Sequence, residues 1–356
     1  MPGNQPGVSV VIPTYNRAEM ALQAVNSALD QDWEPLEVVV VDDCSSDDTL
    51  TRLRELALTE PRLKIVARER NGGEAAARNA GILAADSAYV ALLDSDDRFL
   101  AGKLRRQMEC LLEGPESAVS FTGYMVENRM PGDGLGGGHI TPLDRYTEGS
   151  PGPADPVQLQ GPPPGLAVYP GQHEPVILDR WSSSRDDVIR ALLHGCCVTT
   201  STFVAPRSVM VRDGLFRHYR CCEDHDVWLR LAALGYPFLY EPSPLTLRCQ
   251  HGGNVSGSMP VVARCSELVI GEFLDRADLP AWVSAERNRW LSYWALASAG
   301  RYQEAGEYRQ AAASLARAAV LCPQAVRAGW ALMAARALAL ELRPALRRGA
   351  AAVRRG

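Results

Sequence analysis

The chain has 356 residues and a formal net charge of −5 at pH 7, and 46% of its residues are hydrophobic. This composition is typical of a soluble globular protein with more than one folded unit. The negative balance argues against bulk attraction to nucleic acid, and no apolar run approaches the roughly 18 residues of a membrane span. Nine cysteines without a CxxC pair argue against a zinc ribbon or a disulfide framework, and the short polar N-terminus predicts no signal peptide.

Residues 8–112 alternate between strand patterns and helix patterns. Apolar runs predict strands at 8–12, 36–41, 63–67 and 88–93, and apolar residues at helical spacing predict helices that begin near 16 and 47 and that span 74–85 and 100–112. Asn16 is expected to be the N-cap of the first helix, with Glu19 in the capping-box position. This alternation predicts a doubly wound parallel sheet.

The segment 131–175 interrupts this pattern, because 20 of its 45 residues are Gly or Pro. Glycine and proline runs do not fit inside regular elements, and so long an irregular loop is either functional or disordered. Two interpretations remain open: a mobile flap over the carboxyl edge of the sheet, or an insertion without a role.

Regular structure is expected to resume after this segment. Helices are predicted at 186–193 and 225–234, a strand at 201–205, and a helical region from residue 265 onward. Residues 295–323 resemble one tetratricopeptide repeat. One repeat cannot bury its own apolar face, so this part is either a platform for a partner or a helical hairpin packed on the preceding domain.

The tetrad Asp94-Ser95-Asp96-Asp97 follows the apolar run 88–93 directly. Its three carboxylates repel one another, and a hard divalent cation that carries a diphosphate would compensate them. In open α/β sheets, ligands bind outside the carboxyl ends of the strands. The alternative is a solvated turn in which Asp97 caps the next helix.

Asp42 and Asp43 place two more carboxylates at the end of the second predicted strand. No G-x-G-x-x-G sequence follows an early strand, and no G-x-x-x-x-G-K-[ST] loop is present, so neither a dinucleotide site nor a P-loop is supported. Acidic strand ends without these loops indicate hydrogen bonding to a base or ribose, together with phosphates held by a metal ion.

These motifs occur in an order that resembles a known family. The segments are Ile12-Pro13-Thr14-Tyr15-Asn16-Arg17, Val41-Asp42-Asp43-x-Ser45, Asn71-x-Gly73 with Ala77-Arg78-Asn79, and Leu93-Asp94-Ser95-Asp96-Asp97. They resemble the nucleotide-diphospho-sugar half of family 2 glycosyltransferases, over residues 7–125 and more loosely over 195–256. The resemblance implies an α/β fold of the GT-A type, a doubly wound mixed sheet flanked by helices, with a helical C-terminal extension.

The resemblance also implies roles on the donor side. Thr14, Tyr15 and Asp43 would line the nucleobase pocket, with Asp43 accepting a hydrogen bond from the base. Arg78 would reach the ribose or the diphosphate. The alternatives are a turn residue for Asp43 and a position on a surface helix for Arg78. Cys44 departs from the family, whose members usually have Gly or Asn there.

The resemblance implies a site for Mg²⁺ or Mn²⁺ as well. Asp94 and Asp96 match the family's D-x-D motif, in which Asp96 would bind the metal and Asp94 would touch the ribose or support the metal. Asp97 would be a second ligand or only a helix cap. His251 stands where many relatives carry a late histidine, and it would complete the metal shell, contact the diphosphate, or have no ligand.

The segment Cys222–Arg230 resembles the family's acceptor-side E-D motif, which precedes a W-L-R helix. Inverting transfer needs one general base on the acceptor hydroxyl, opposite the leaving diphosphate. Asp224 matches the base position, and Glu223 would orient an acceptor hydroxyl. The alternative makes both residues simple helix-start acids. For Asp226 we expect a solvated or Arg-paired role.

The sequence is therefore interpreted as a metal-dependent inverting glycosyltransferase of hexosyltransferase type. It would move a sugar from a nucleotide-diphospho-sugar, with a UDP-sugar favoured, to a glycan or lipid-linked acceptor in cell-surface polysaccharide or glycolipid synthesis. Residues 1–260 would form the catalytic domain, with a donor half at 1–125 and an acceptor half at 186–260, and 265–356 the helical region. The alternatives are a nucleotidyltransferase, whose usual Gly-rich basic loop is missing here, and a non-catalytic sugar-binding or scaffold protein.

Charge is uneven along the chain. Residues 327–356 carry seven Arg and one Glu, a formal charge of +6, which leaves −11 for residues 1–326. We expect a cytoplasmic protein whose basic tail contacts the inner face of the membrane. The alternative is a tail packed on the acidic body of the protein itself.

Overall fold

A computed structural model describes residues 5–128, 184–252 and 258–323, together with the backbone of three short strands between 139 and 178. The chain divides into two compact units, one formed by 1–160 with 175–257 and one formed by 161–174 with 258–356. Most of the Gly/Pro-rich segment 131–175 and all of the basic tail 327–356 lie outside the described residues, so their expected roles remain predictions.

The first unit is built on a mixed sheet. The described strands are β1 (Val8–Thr14), β2 (Leu36–Asp42), β3 (Leu63–Ala67), β4 (Tyr89–Leu92), β5 (Arg98–Phe99), β6 (Val119–Asn128), β7 (His139–Pro142), β8 (Val157–Gln158), β9 (Ile177–Leu178), β10 (Val204–Pro206) and β11 (Phe238–Gln250). The strand order of the sheet is β3-β2-β1-β4-β10-β6-β11-β5, and β7 pairs with β6. The helices of this unit are α1 (Ala18–Leu29), α2 (Thr49–Ala57), α3 (Gly73–Ala84), α4 (Lys103–Glu113), α5 (Arg185–His194), α6 (Arg207–Arg212) and α7 (Glu223–Ala233).

The four early strands form where the sequence predicts them. β1 pairs in parallel with β2 on one side and β4 on the other, and β3 pairs in parallel with β2. Every residue of β1 is buried, as expected for a strand covered on both faces. β10 pairs with β4 in the antiparallel direction, which makes the sheet mixed. The carboxyl ends of β1, β2 and β4 therefore meet at one edge.

Helix α3 lies against β1 and β2 at a close approach that a glycine permits. A Cβ atom on Gly81 would stand 2.4 Å from Cγ1 of Val11 and 3.0 Å from Cγ2 of Val41. Neither contact is compatible with van der Waals radii, so only glycine fits there without displacing a strand. This packing holds α3, the helix that carries Arg78, close against β1 and β2.

Two local predictions are wrong. Asn16 is not the N-cap of α1, because Arg17 precedes the helix and no side chain caps it, while Asn16 adopts a left-handed φ of 50°. The Asn16 Oδ1 atom instead accepts from the Ser46 backbone N–H at 2.7 Å. The strand expected at 201–205 begins at Val204, because residues 200–202 form a 3₁₀ turn.

Lys103, the first residue of α4, is fully buried with its ammonium 3.9 Å from the centre of the Phe99 ring. Its Nζ atom has no hydrogen-bond partner among the described residues. Burial therefore lowers the pKa of Lys103 well below its ordinary value of 10.5. An unfolded lysine keeps its proton up to about pH 10.4, so the unfolded chain binds more protons and stability rises with pH between the lowered pKa and that value.

We expect Lys103→Met to raise the free energy of unfolding at pH 7 by about 1–3 kcal/mol, because it removes a buried polar group without a partner. It should also flatten the rise in stability toward pH 10. Urea denaturation at both pH values measures the two effects. Lys64→Met is the control, since the half-exposed Lys64 pairs with Asp86 on the surface and should change stability by less than about 1 kcal/mol. A destabilised Lys103→Met variant would contradict this account.

The second unit is helical, in α8 (Met259–Leu274), α9 (Ala281–Ala285), α10 (Arg287–Glu304) and α11 (Tyr308–Leu321). α10 packs against both α8 and α11. The buried Ser298 hydroxyl donates to the Ala263 carbonyl at 3.1 Å, and the buried Ser292 hydroxyl donates to the Ala318 carbonyl at 3.0 Å. α10 and α11 form the expected hairpin, with Gly306 at a φ of 77° in its turn; its assignment as a tetratricopeptide repeat remains a prediction. In the part of the chain that the structure describes, no helix is long and apolar enough to cross a membrane.

Candidate active site

Asp43, at the carboxyl end of β2, is engaged by the loop that leads into α3. Its carboxylate accepts from the Gly73 backbone N–H at 2.7 Å, from the Gly72 N–H at 3.0 Å, and from the Arg68 guanidinium. Only 4% of the side chain is exposed. These donors give Asp43 a structural role at the start of α3. A nucleobase N–H would have to share a carboxylate oxygen with them, and the base contact of Asp43 remains a prediction.

The end of β1 presents the other two predicted base-pocket residues. The buried Thr14 Oγ1 atom has no hydrogen-bond partner among the described residues, and Tyr15 is 44% exposed. Next to them, the Ser45 hydroxyl accepts from the Asn16 backbone N–H at 2.9 Å, which ties the β1 and β2 loops together. Cys44 has a φ of 66°, and this left-handed backbone explains why Gly or Asn suits its position.

Two carboxylates of the acidic tetrad are balanced by arginines. Asp94 accepts from Arg78 Nη2 at 2.7 Å, and Asp96 accepts from Arg17 Nη1 at 3.0 Å. The same Asp96 Oδ2 atom lies 3.1 Å from Nε2 of His251. The structure thus brings His251, which is far away in sequence, to the residue for which metal binding is predicted.

Asp97 is turned away from Asp96 and into the protein. Its Oδ2 accepts from the Ser201 hydroxyl at 2.5 Å, and its Oδ1 accepts from the Cys249 backbone N–H at 2.9 Å. Burial, followed by the charges of Asp94 and Asp96, raises the pKa of Asp97 to about 8. Both of its oxygens are engaged by the chain, so the geometry favours a structural role over the second-ligand role; the helix-cap alternative does not apply, because α4 begins only at Lys103.

Arg78 connects the acidic tetrad to Glu223. Its side chain is 4% exposed, so the surface-helix alternative is wrong. Nη1 donates to Glu223 at 2.6 Å, and Nη2 donates to Asp94 at 2.7 Å and to Glu74 at 3.2 Å. One guanidinium therefore joins the D-x-D segment to the E-D segment, and its predicted contact with ribose or diphosphate stays a prediction.

Glu223 and Asp224 form the first turn of α7. Burial raises the pKa of both carboxyls, and the positive charge of Arg78 opposes this rise at both. A neighbouring negative charge adds to the rise: that of Asp224 at Glu223, and that of Asp94 at Asp224. The Asp224 Oδ1 atom accepts from the His225 N–H at 2.8 Å, and Oδ2 lies 3.4 Å from the Thr200 hydroxyl. A partly buried carboxylate of raised pKa suits proton transfer.

Asp226 has the Arg-paired role that the sequence suggests. Its carboxylate accepts from Arg230 Nε at 2.8 Å and from Arg217 Nη1 at 3.3 Å. Arg230 in turn donates to the Leu215 carbonyl at 2.7 Å. These bonds fix α7 to the preceding loop, and they leave Asp224 and Glu223 as the acids of this helix that face the site.

The donor set around Asp96 suits a divalent cation. Carboxylate oxygens are the ligands that Mg²⁺ and Mn²⁺ prefer, and Asp96 presents one within reach of the His251 imidazole. In the described ranges, no three His, Cys, Asp or Glu side chains form a complete metal-binding group. An ion at Asp96 would therefore take further ligands from phosphate oxygens and water, which is the usual arrangement for Mg²⁺ at substrate phosphates.

Several contacting residues were not predicted from the sequence. Arg17 lies within the quoted β1 motif but received no role, and Glu74 stands four residues before Arg78, a spacing that favours an ion pair on a helix. Thr200 and Ser201 carry no local signal, because only the fold brings them to the acidic residues.

Comparison with known proteins identifies this arrangement. Residues 9–141 match the family described as "Glycosyl transferase family 2". The chain is 40% identical over 142 residues to the "Putative teichuronic acid biosynthesis glycosyltransferase TuaG" of Bacillus subtilis, covering 40% of this chain and 52% of that protein. It is 36% identical over 121 residues to the "UDP-Glc:alpha-D-GlcNAc-diphosphoundecaprenol beta-1,3-glucosyltransferase WfgD" of Escherichia coli, covering 34% of this chain and 47% of that protein. The chain thus spans about half the length of these curated relatives.

Solved structures share the fold at low sequence identity. S. aureus TarS 1-349 in complex with UDP-GlcNAc superposes with a TM-score of 0.58 at 20% identity, covering 90% of this chain and 83% of that one. The mannosyltransferase PcManGT from Pyrobaculum calidifontis, in complex with GDP-Man and Mn²⁺, gives a TM-score of 0.58 at 20% identity, covering 95% of this chain and 82% of that one. Residues 9–141 therefore match glycosyl transferase family 2, and the fold is of the GT-A type.

Proposed function

We propose that this protein is a metal-dependent inverting glycosyltransferase that moves a sugar from a nucleotide-diphospho-sugar to an acceptor hydroxyl. The observation that carries the proposal is the bridge made by Arg78, which bonds Asp94 on one side and Glu223 on the other. It brings the acidic donor segment and the acceptor-side acids to one place. The family match of residues 9–141 supports the same reaction class.

Asp224 is the proposed general base. Its carboxylate takes the proton of the acceptor hydroxyl while that oxygen bonds to the anomeric carbon and the bond from this carbon to the nucleoside diphosphate breaks. Attack opposite the leaving group turns an α-linked donor into a β-linked product. The raised pKa of Asp224 supports this role, because a base works best when its pKa lies nearer to the working pH.

The other residues bind and orient. Glu223, held by Arg78, is proposed to hydrogen-bond the acceptor, and Tyr15 and Thr14 to contact the nucleobase beside Asp43. Asp96 with His251 would hold Mg²⁺ or Mn²⁺, with Asp94 in support. When bound, such a cation supplies positive charge beside the departing diphosphate.

The relatives support a substrate class. One is named for teichuronic acid biosynthesis and another for glucosyl transfer from UDP-Glc to a diphosphoundecaprenol-linked sugar. We therefore propose a glycan or lipid-linked acceptor in cell-surface polysaccharide synthesis, with a UDP-sugar as the favoured donor. GDP-sugars are also candidate donors, because the structure of PcManGT contains GDP-Man.

A thermal-shift screen across UDP-, GDP- and dTDP-sugars, with and without Mn²⁺, tests donor binding. A ligand at 100 times its Kd stabilises the folded state by about 2.7 kcal/mol, so one donor should raise the Tm clearly and only with the metal present. If none of these nucleotide sugars raises the Tm, the proposal fails.

Two tetrad variants separate the metal ligand from its neighbour. Asp96→Ala should abolish the Mn²⁺-dependent shift and leave the fold intact, because it removes a carboxylate from an acid-rich strand end. Asp97→Asn should keep the shift, since the amide oxygen still accepts from the Cys249 N–H and the amide NH₂ can donate to the Ser201 oxygen in place of the bond that Ser201 donates now. Equal donor affinity in Asp96→Ala and the unmodified protein would remove Asp96 from the metal site, and a lost shift in Asp97→Asn would restore Asp97 as a ligand.

We also propose that the basic segment 327–356 brings the protein to anionic lipid. Each Lys or Arg near an anionic surface contributes about 1 kcal/mol, and this segment has a net charge of +6. Full-length protein should float with anionic vesicles at low salt, and truncation after residue 326 should abolish flotation. If the truncated protein floats as well as the full chain, another part of the protein binds the lipid. If the full chain does not float, a tail packed on the protein itself is favoured.

A further inference from the structure

The turn Thr200–Thr202 is made of three buried hydroxyl residues just before β10. Ser201 and Thr202 are fully buried. Three consecutive hydroxyls in the interior require partners, because an unpaired buried polar group costs free energy. Some of the residues that bond this turn belong to the candidate active site, and others hold the turn in place.

Ser201 closes a ring of bonds around the acidic tetrad. Its hydroxyl donates to Asp97 Oδ2 at 2.5 Å, and its oxygen accepts from the Asp94 backbone N–H at 3.1 Å. The Asp97 N–H donates to the Asp94 carbonyl at 3.0 Å. One hydroxyl therefore contacts both ends of the tetrad, and Asp96 lies between the two fixed points.

The backbone of the same turn is bonded by α4 and β11, and its first residue contacts the proposed base. The Ser201 carbonyl accepts from the buried Thr246 hydroxyl at 3.1 Å, and the Thr202 carbonyl accepts from Gln107 Nε2 at 3.0 Å. The Thr200 hydroxyl lies 3.4 Å from Asp224 Oδ2. The tetrad and the proposed base are thus tied to one rigid turn held by α4 and β11.

We propose that Ser201 is a positioning residue, which holds the Asp94–Asp97 segment so that Asp96 faces the donor diphosphate. This inference rests on the proposed function and deepens it. Loss of the hydroxyl leaves the Asp97 carboxylate and the Asp94 N–H without their shared partner inside the protein, so the segment relaxes and Asp96 moves from its place. The effect should therefore appear in the affinity for a nucleoside diphosphate and not only in stability.

The test uses calorimetric titration of the full chain with UDP, GDP and dTDP, each with MnCl₂. For the nucleotide that binds, Ser201→Ala should raise the Kd by about tenfold or more, as expected when a buried hydrogen bond is lost and its partners are left unsatisfied. Thr246→Val is the matched control. It removes an equally buried hydroxyl bond to the same residue, but one made to the Ser201 carbonyl and not to the hydroxyl that meets the tetrad, so it should lower the Tm and change the Kd by less than about twofold.

A double-mutant cycle with Asp97→Ala, which removes the side-chain partner of Ser201, adds a readout that general loosening would not change. If Ser201 acts through Asp97, its substitution should cost less affinity in the Asp97→Ala background, and the two effects should not add. A Ser201→Ala protein that loses stability but keeps its Kd would overturn the inference while leaving the proposed function intact, as would an equal loss in Thr246→Val. An unmodified protein that binds none of UDP, GDP and dTDP would overturn both.

Discussion

Replacing Asp224 with Asn is expected to lower sugar transfer by about 10²–10⁴-fold while nucleotide binding is retained. The amide matches the carboxylate in shape, so its oxygen still accepts from the His225 N–H and its NH₂ can donate to the Thr200 hydroxyl oxygen. It cannot accept the proton of the acceptor hydroxyl. Turnover under saturating donor, compared with a donor titration of the same variant, measures the two effects separately.

Asp226→Asn is the informative control on the same helix. Asp226 pairs with Arg230 and Arg217, so its loss should reduce stability far more than it reduces the turnover of the folded protein. If Asp224→Asn turns over within about threefold of the unmodified protein, the base is another residue, and Glu223 is the next candidate.

The pH dependence follows from the same residue. A general base must be ionised to act, so turnover falls as pH drops through its pKa. Burial raises the pKa of Asp224 above that of an ordinary aspartate, about 3.9, so the acid limb of the turnover profile should lie above that value. The limb should vanish from the residual activity of Asp224→Asn.

Replacing Arg78 with Met is expected to lower the free energy of unfolding by about 3–5 kcal/mol, the usual effect of removing one partner from a buried ion pair. Its guanidinium faces Glu74, Asp94 and Glu223, and the substitution removes the one cation that bonds all three carboxylates in the described part of the chain. Transfer by the folded fraction should fall as well, because both the donor segment and Glu223 lose their common partner. Urea denaturation and turnover below the midpoint measure the two losses.

Arg52→Met provides the comparison for this prediction. Arg52 pairs with Glu19 on the surface, where both side chains are exposed, so its loss should change stability by less than about 1 kcal/mol. Similar unfolding free energies for the two variants would show that the network around Arg78 does not hold the site together.

The sequence predicted the sheet well because the early strands are buried on both faces, and continuous apolar runs such as the valines of β2 leave little choice. The motifs also located most of the acidic residues of the candidate active site. Local patterns failed where a tertiary contact decided the outcome. Asn16 has the chemistry of a helix cap, but its side chain binds the loop after β2. Ser201 was predicted to begin a strand, but it lies in a 3₁₀ turn, where its hydroxyl bonds Asp97.

Sequence patterns could not predict which side chains pair across the site, because these pairs are formed by tertiary contacts. Arg78 and Glu223 are 145 residues apart in the chain, and His251 and Asp96 are 155 residues apart. The role of Asp97 depends on which way its side chain turns, and that direction is set by Ser201 and the Cys249 N–H. A D-x-D-D sequence alone does not distinguish the oxygen that faces the ligand from the one that faces the core.

Transfer of an isotope-labelled sugar is the most direct test of the account. The full-length protein would be incubated with labelled UDP-, GDP- or dTDP-sugars, Mn²⁺ and a lipid-linked glycan extract, and the products separated from the nucleotide sugar. We expect label from one donor to appear in a glycan product with the unmodified protein, and none above background with Asp224→Asn. If a donor binds but its label never leaves the nucleotide, or if Asp224→Asn transfers it equally well, the proposed reaction and its base are wrong.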